Sequence, residues 1–462
     1  MTLPLAHGIA QREDLPIPLA LFVFGAFVVL VVSFVALAVL WREPRLEQDR
    51  WRPLPDGLGR VLGSRPVEVL CGTIGVALLV LVVAAGFEGQ QTAASNFAPT
   101  FVYVVFWVGL VAASVLLGDV YRAFNPWRAI GRAVAFSSRL VARGDLPPPL
   151  EYPRRLGMWP AAAGLLAFTV LEIVNSTPDD PSTVAVATLV YSVAMFVGMA
   201  LYGVDAWIDR GEGFSVYFNL FSRLSVFETR DTPGTGGVLG VRLPLSGLTS
   251  LRPAPGLVAV VAVMIGTVSF DGFSEQQAWV DVGGKLGDLF GSLGLSSETA
   301  FEASSAVGLA VAVGLVLGLY RLGTAGLKIL DDRNRAGELA VSFAHSLVPI
   351  ALAYVGAHYL TLLAFQGQAI FYLASDPLGS GSDLFGTAEV AISYFLGATL
   401  IALMQVGLVV SGHVAGLVLS HDRALTVYSD RPQLAVPSQL WMLAVMVVFT
   451  IVALLLLLAG NG

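Results

Sequence analysis

Ten stretches of this chain are apolar over about the length a helix needs to cross a lipid core, and polar segments separate them. They run at about Ile17–Leu40, Val67–Gly86, Thr100–Gly118, Met158–Asn175, Thr183–Gly203, Gly256–Phe270, Glu302–Tyr320, Glu338–Phe365, Glu389–Leu419 and Leu440–Gly460. The pattern predicts an all-α, polytopic helical membrane protein of about ten transmembrane helices, forming one integral membrane domain over residues 1–462. Two polar segments carry an apolar rhythm of their own. Over 211–228, Phe214, Val216, Tyr217, Leu220, Phe221, Leu224 and Phe227 recur at helical spacing, which predicts a helix lying in the membrane interface. Over 271–301, Trp279, Val280, Val282, Leu286, Leu289 and Phe290 predict an amphipathic lid or cap. The sixth run is short and meets Asp271-Gly272, so its helix either breaks there or continues through Phe273. The turn formers of Ser375–Gly386 predict an irregular loop.

Charge orients the helices. Of 26 Lys and Arg residues, all but Arg12 and Lys285 fall in the segments 41–66, 119–157, 204–255, 321–337 and 420–439. Positive charge is retained on the cytoplasmic side, so these segments are expected inside and both termini outside. The first run lacks a cationic lead-in, since Arg12 stands beside Glu13 and Asp14, and it is expected to stay as a helix of a multipass cell-membrane protein. A mean hydropathy of +0.76 and a charged fraction of 13% exclude a soluble globule, and no basic patch suits nucleic acid. The lipid bilayer is the first partner. The single cysteine, Cys71, excludes a disulfide framework.

Candidate chemistry rests on histidines and carboxylates inside apolar runs, where ionisable groups are rare. His345 and His358 share the eighth run thirteen residues apart, roughly 20 Å along a helix, so an unbroken helix keeps them from sharing one metal. With the eighth run leading outward and the ninth inward, His345 and His413 fall in the inner half and His421 at the cytoplasmic surface. His358 falls in the outer half, at the depth of Glu172, Asp271 and the extracellular His7. An outer group of His358, Asp271, Glu172 and His7 has the chemistry of a nitrogen–oxygen site for a divalent metal, or of a general base with its orienting carboxylate. No His-Glu-x-x-His or His-x-His run is present.

Several stretches together resemble one family. They are Ala6–Pro18, Gly118–Arg128, Gly211–Phe218, Thr267–Gly272, Phe343–Ile350 with Ala357–Leu360, Ser375–Pro377 with Asp383–Gly386, and Gly412-His413 with Ser420–Leu425. In these blocks, which run from end to end, the chain is similar to the multipass membrane proteins called fenitrothion hydrolases. The resemblance implies hydrolysis of an organophosphate or other apolar ester at the membrane, with His7, Asp271, His358 and His413 as the matching residues that could serve, as metal ligands among other roles. Such chemistry needs an activated water and charge stabilisation at the phosphoryl oxygen, usually from a metal. Two other readings stay open. In one, the same groups bind a cation or proton in a transporter, with His345 and His413 extending the path inward. In the other, the chain is a non-catalytic subunit of a homo- or hetero-oligomeric membrane complex. A transport path predicts polar groups at successive depths, through Glu172, His358, Gln405, His413 and His345, whereas an enzyme predicts that they cluster at one depth.

Overall fold

A computed structural model describes residues 19–55, 57–142, 149–232, 236–331 and 333–458. Among them, nine helices are long and apolar enough to cross a membrane. In chain order the helices that build the molecule are α1 (Leu19–Leu40), α2 (Arg65–Glu88), α3 (Phe97–Leu117), α4 (Pro126–Ala142), α5 (Trp159–Val174), α6 (Pro181–Tyr202), α7 (Val204–Arg210) and α8 (Gly213–Ser222). Then come α9 (Leu257–Ser274), α10 (Gln277–Ser292), α11 (Ser297–Leu330), α12 (Ala336–His358), α13 (Leu360–Ser375), α14 (Ala398–Val427) and α15 (Gln439–Leu458). Eight of the ten apolar runs each correspond to one helix, whereas the eighth is divided at Tyr359 between α12 and α13 and the ninth becomes helical only from Ala398, as α14. The fourth run, α5, is the shorter one and falls outside the nine. The short sixth run does not break at Asp271-Gly272, because α9 continues to Ser274.

Position in the bundle follows from how each helix distributes its apolar side chains. In α1, α2 and α15 fewer than a third of the residues are buried, and Leu21, Phe24, Val32 and Leu70 are among the exposed apolar ones, which suits a lipid-facing surface where apolar exposure carries no penalty. The helices α9 and α12 are buried along most of their length and form the centre. Close approach is built with glycine. A side chain at Gly266 of α9 would come within 2.6 Å of the Val313 Cα of α11, and one at Gly412 of α14 within 2.7 Å of the Pro349 carbonyl of α12. These are small-residue contacts that let helix backbones touch where the surrounding solvent offers no hydrophobic drive.

The Arg-rich end is tied together by polar contacts. Asp422, fully buried at the end of α14, accepts hydrogen bonds from the Trp41 indole at 3.0 Å and from the backbone N–H groups of Arg45 and Leu46, which fixes the exit of α1. Glu68 bridges Arg128 and Arg132, joining α2 to α4. Strands β1 (Arg52–Pro53), β2 (Phe227–Thr232) and β3 (Gly236–Val241) form an antiparallel sheet in the order β1-β3-β2, with Arg52 opposite Val241 and Phe227 opposite Val241.

The stretch 211–228, read from sequence as one interfacial helix, divides into the helix α8 and the start of β2. Nine of the ten residues of α8 are buried. Its apolar spacing matched a one-sided surface helix, but aromatic neighbours from α3 and α5 pack on it: Phe214 meets Phe106 and Phe168, and Tyr217 stacks on Trp107. Its N-terminus is capped by Glu212, which accepts from the N–H groups of Phe214 and Ser215 and from the Tyr191 hydroxyl at 2.9, 2.6 and 2.5 Å.

At the opposite end, α10 folds back over the beginning of α11. The loop after α13 is shaped by Asp376, which accepts from the N–H groups of Ser380 and Gly381, and by a Ser375–Asp383 hydrogen bond of 2.7 Å. Those backbone donors hold the Asp376 carboxyl below the ordinary range.

Candidate functional site

The two central helices end beside each other, and this places Asp271 of α9 against His358, the last residue of α12. The His358 Nε2 lies 2.9 Å from Asp271 Oδ2. The Tyr359 hydroxyl donates to the same oxygen at 2.7 Å. Asp271 and Tyr359 are each 2% exposed, so their pairing takes place away from bulk solvent, while the His358 side chain retains 18% of its accessibility. His358 stands where the helix is interrupted. Tyr359 separates α12 from α13, and the imidazole rests on Gly272, where a side chain would come within 3.4 Å of Nδ1.

Glu172 reaches the same region from α5. It is 5% exposed, its Oε2 has no hydrogen-bond partner among the described residues, and it lies within electrostatic range of Asp271, Tyr359 and Tyr217. The final turn of α5, Val170–Val174, is a π-helix, and so is Phe101–Gly109 in α3. The wider π turn displaces side chains from the α-helical register and recurs at functional sites. Here it accompanies Glu172 on one helix and Trp107 on the other, and ring contacts of Phe168 with Tyr103 and Trp107 join the two segments. The Trp107 indole N–H and the Tyr217 hydroxyl, like Glu172 Oε2, are buried without a partner among the described residues. Buried polar atoms left in this way are costly, and each calls for an explanation.

The remaining residues singled out from sequence lie elsewhere. The His345 Nδ1 is 3.0 Å from the Ser342 carbonyl in a short 3-10 turn near the Arg-rich end, at the other end of α12 from His358. The His413 Nδ1 is 2.8 Å from the Val409 carbonyl of its own helix, and its ring sits 6.4 Å from that of Tyr354. His421 bonds to the Trp41 carbonyl and to Gln439 and belongs to the inner polar tie. Gln405 donates to the Ala357 carbonyl at 2.9 Å. His7 lies outside the described residues. Among the described residues no three His, Cys, Asp or Glu side chains converge as ligands for a metal ion.

Sequence reasoning missed Tyr359, Tyr217 and Trp107. Tyr359 follows His358 directly and could have been noted as a second donor beside the histidine. Nothing in the spacing of Tyr217 or Trp107 distinguishes them from core aromatics, because only the insertion of α8 into the bundle brings them to Glu172.

No protein family, curated protein or solved structure matches this chain.

Proposed function

We propose that this membrane protein carries an acid–base site at the outer ends of its two central helices, and that the site hydrolyses an apolar ester. The observation that carries the reading is the shared acceptor. With Asp271 Oδ2 accepting from the Tyr359 hydroxyl and lying 2.9 Å from His358 Nε2, the carboxylate orients the imidazole, and His358 held in this way serves as the base that takes a proton from water. Glu172, buried at the same depth, is placed to handle a second proton or to stabilise charge on the reacting group. The substrate class, an organophosphate or related apolar ester, comes from the resemblance of the sequence blocks to fenitrothion hydrolases. The proposed orientation puts the Arg-rich loops in the cytoplasm and both termini outside, so the site lies in the outer half.

A transport path is less well supported. It needs polar groups joined through the membrane, yet inward of the site α14 and α12 meet by backbone. A side chain at Gly412 would lie 2.4 Å from the Ala353 Cβ, and one at Gly416 would lie 2.7 Å from the Ser346 carbonyl. These contacts close the shared face at Gly412 and Gly416, and the small cavity of about 50 Å³ beside Ser346, Ile350 and Gly416 is lined mainly by apolar side chains.

The test is release of nitrophenolate from a dialkyl nitrophenyl phosphate by the purified protein in nanodiscs, with His358→Ala and Glu172→Gln beside the wild type. Hydrolysis that falls at least a hundredfold in His358→Ala supports the assignment. A folded wild type without turnover on phosphate or carboxylate nitrophenyl esters sinks it.

A further inference from the structure

The cavity between α10 and the start of α11 has a volume of about 810 Å³, inside the range of sites that enclose small organic molecules. Its walls combine Ile173, Phe270, Trp279 and Phe301 with the hydroxyls of Ser304 and Ser305. Two of these wall residues are chain neighbours of the acid–base site, since Ile173 follows Glu172 and Phe270 precedes Asp271. We infer that this cavity is a binding chamber for a neutral, apolar molecule of ester size taken from the outer leaflet. Phe270 and Trp279 form its aromatic wall against Gly308 of α11. For the identity of the occupant as substrate, the inference rests on the acid–base reading. The chamber itself does not.

Three observations define the occupant. The aromatic wall is fixed: Phe270 and Trp279 meet edge to face at 4.9 Å, and both press on Gly308, where a side chain would lie within 2.4 Å of the Trp279 ring. Among the described residues the lining carries the carboxylates Glu275 and Asp288 and no Lys or Arg, which disfavours an anion and favours a neutral molecule. The wall supplied by α10 is kept bare. A side chain at Gly284 or Gly291 would meet nothing within 4 Å, and one at Gly287 only the Ser304 hydroxyl at 3.9 Å. Glycine inside a helix costs about 1 kcal/mol against alanine, and neither close packing nor a positive φ requires it at these three positions. The open space in front of them is the chamber.

This gives a variant that fills the cavity without disturbing the backbone. The probe is the nitrophenyl phosphate triester, whose nitroaromatic ring quenches tryptophan fluorescence and so reports proximity to Trp279. In nanodiscs, the wild type and His358→Ala should show the same saturable quenching, Trp279→Phe should lose it, and Gly287→Phe should bind at least tenfold more weakly with unchanged circular dichroism and melting temperature. Equal binding by Gly287→Phe and wild type overturns the chamber, as does an absence of saturable binding to wild type. Binding lost in Gly287→Phe, with no turnover by any form, keeps the chamber and removes the acid–base reading. Turnover lost in His358→Ala but kept in Gly287→Phe does the reverse.

Discussion

Replacing Asp271 by asparagine changes few atoms and tests the most specific part of the site. The carboxylate now accepts two donors on one oxygen, at 2.9 Å from His358 Nε2 and 2.7 Å from the Tyr359 hydroxyl. The amide of Asp271→Asn brings its own N–H donors and no negative charge, so it neither orients the imidazole in the same way nor stabilises the imidazolium that forms when His358 takes a proton. Correctly poised acid–base groups contribute about 10² to 10⁴ in rate, so we expect kcat to fall about a thousandfold, roughly 4 kcal/mol at 1.36 kcal/mol per decade, with little change in KM. Because size and shape are kept, the loss of stability should be no more than about 1–3 kcal/mol, the cost of weakening charge-assisted hydrogen bonds in a buried setting. The assay is nitrophenolate release with kcat and KM resolved, alongside a melting curve. An Asp271→Asn protein working within tenfold of wild type while His358→Ala is dead would refute the idea that Asp271 acts through His358.

Other consequences follow from the same geometry. Tyr359→Phe removes one donor to the buried carboxylate and should lower the melting temperature by an amount equivalent to about 1.5–3 kcal/mol, and differential scanning fluorimetry against wild type measures it. Gly412→Ala should destabilise by about 1–3 kcal/mol because its Cβ would sit 2.4 Å from that of Ala353. Gly407→Ala in the same helix meets nothing within 4 Å and should be silent or mildly stabilising. At the Arg-rich end, hydrogen bonds from Asn334, the Arg333 N–H and Arg431 offset burial and hold the Asp331 carboxyl down at about 2. A depressed carboxyl contributes stability above its unfolded value near 3.8, and that contribution is lost as pH falls from about 4 toward 2. Melting curves across this window should therefore drop more steeply for wild type than for Asp331→Asn. In a Cys71→Ser background, an impermeant maleimide added to intact cells should label a cysteine at Ser292 but not one at Ser250, and the opposite pattern would reverse the orientation.

The candidate site was partly legible in advance. Glu172, Asp271 and His358 stand out because a titratable group in an apolar run is costly, and counting depth along helices of alternating direction places them at one level. The same counting sets His345 apart from His358, and the structure has it toward the Arg-rich end. The fate of 211–228 was not legible. A helical spacing of apolar residues reads alike for a helix resting on a lipid surface and for one enclosed by protein, and only the aromatic wall of α3 and α5 decides which of the two α8 is.

The sequence by itself determined that the chain is helical and membrane-embedded and where its spans fall, since these depend on local length, apolarity and charge. The tertiary structure decided which helices stand at the centre, that Asp271 and His358 come within 2.9 Å, that Tyr359 shares their oxygen, and that a row of glycines faces open space. In a bilayer the lipid is as apolar as the helix faces, so hydropathy can put a helix in the membrane but cannot choose its neighbours. That choice is made by the close fit of small residues such as Gly266 and Gly412 and by buried polar contacts, which exist only once distant parts of the chain have met.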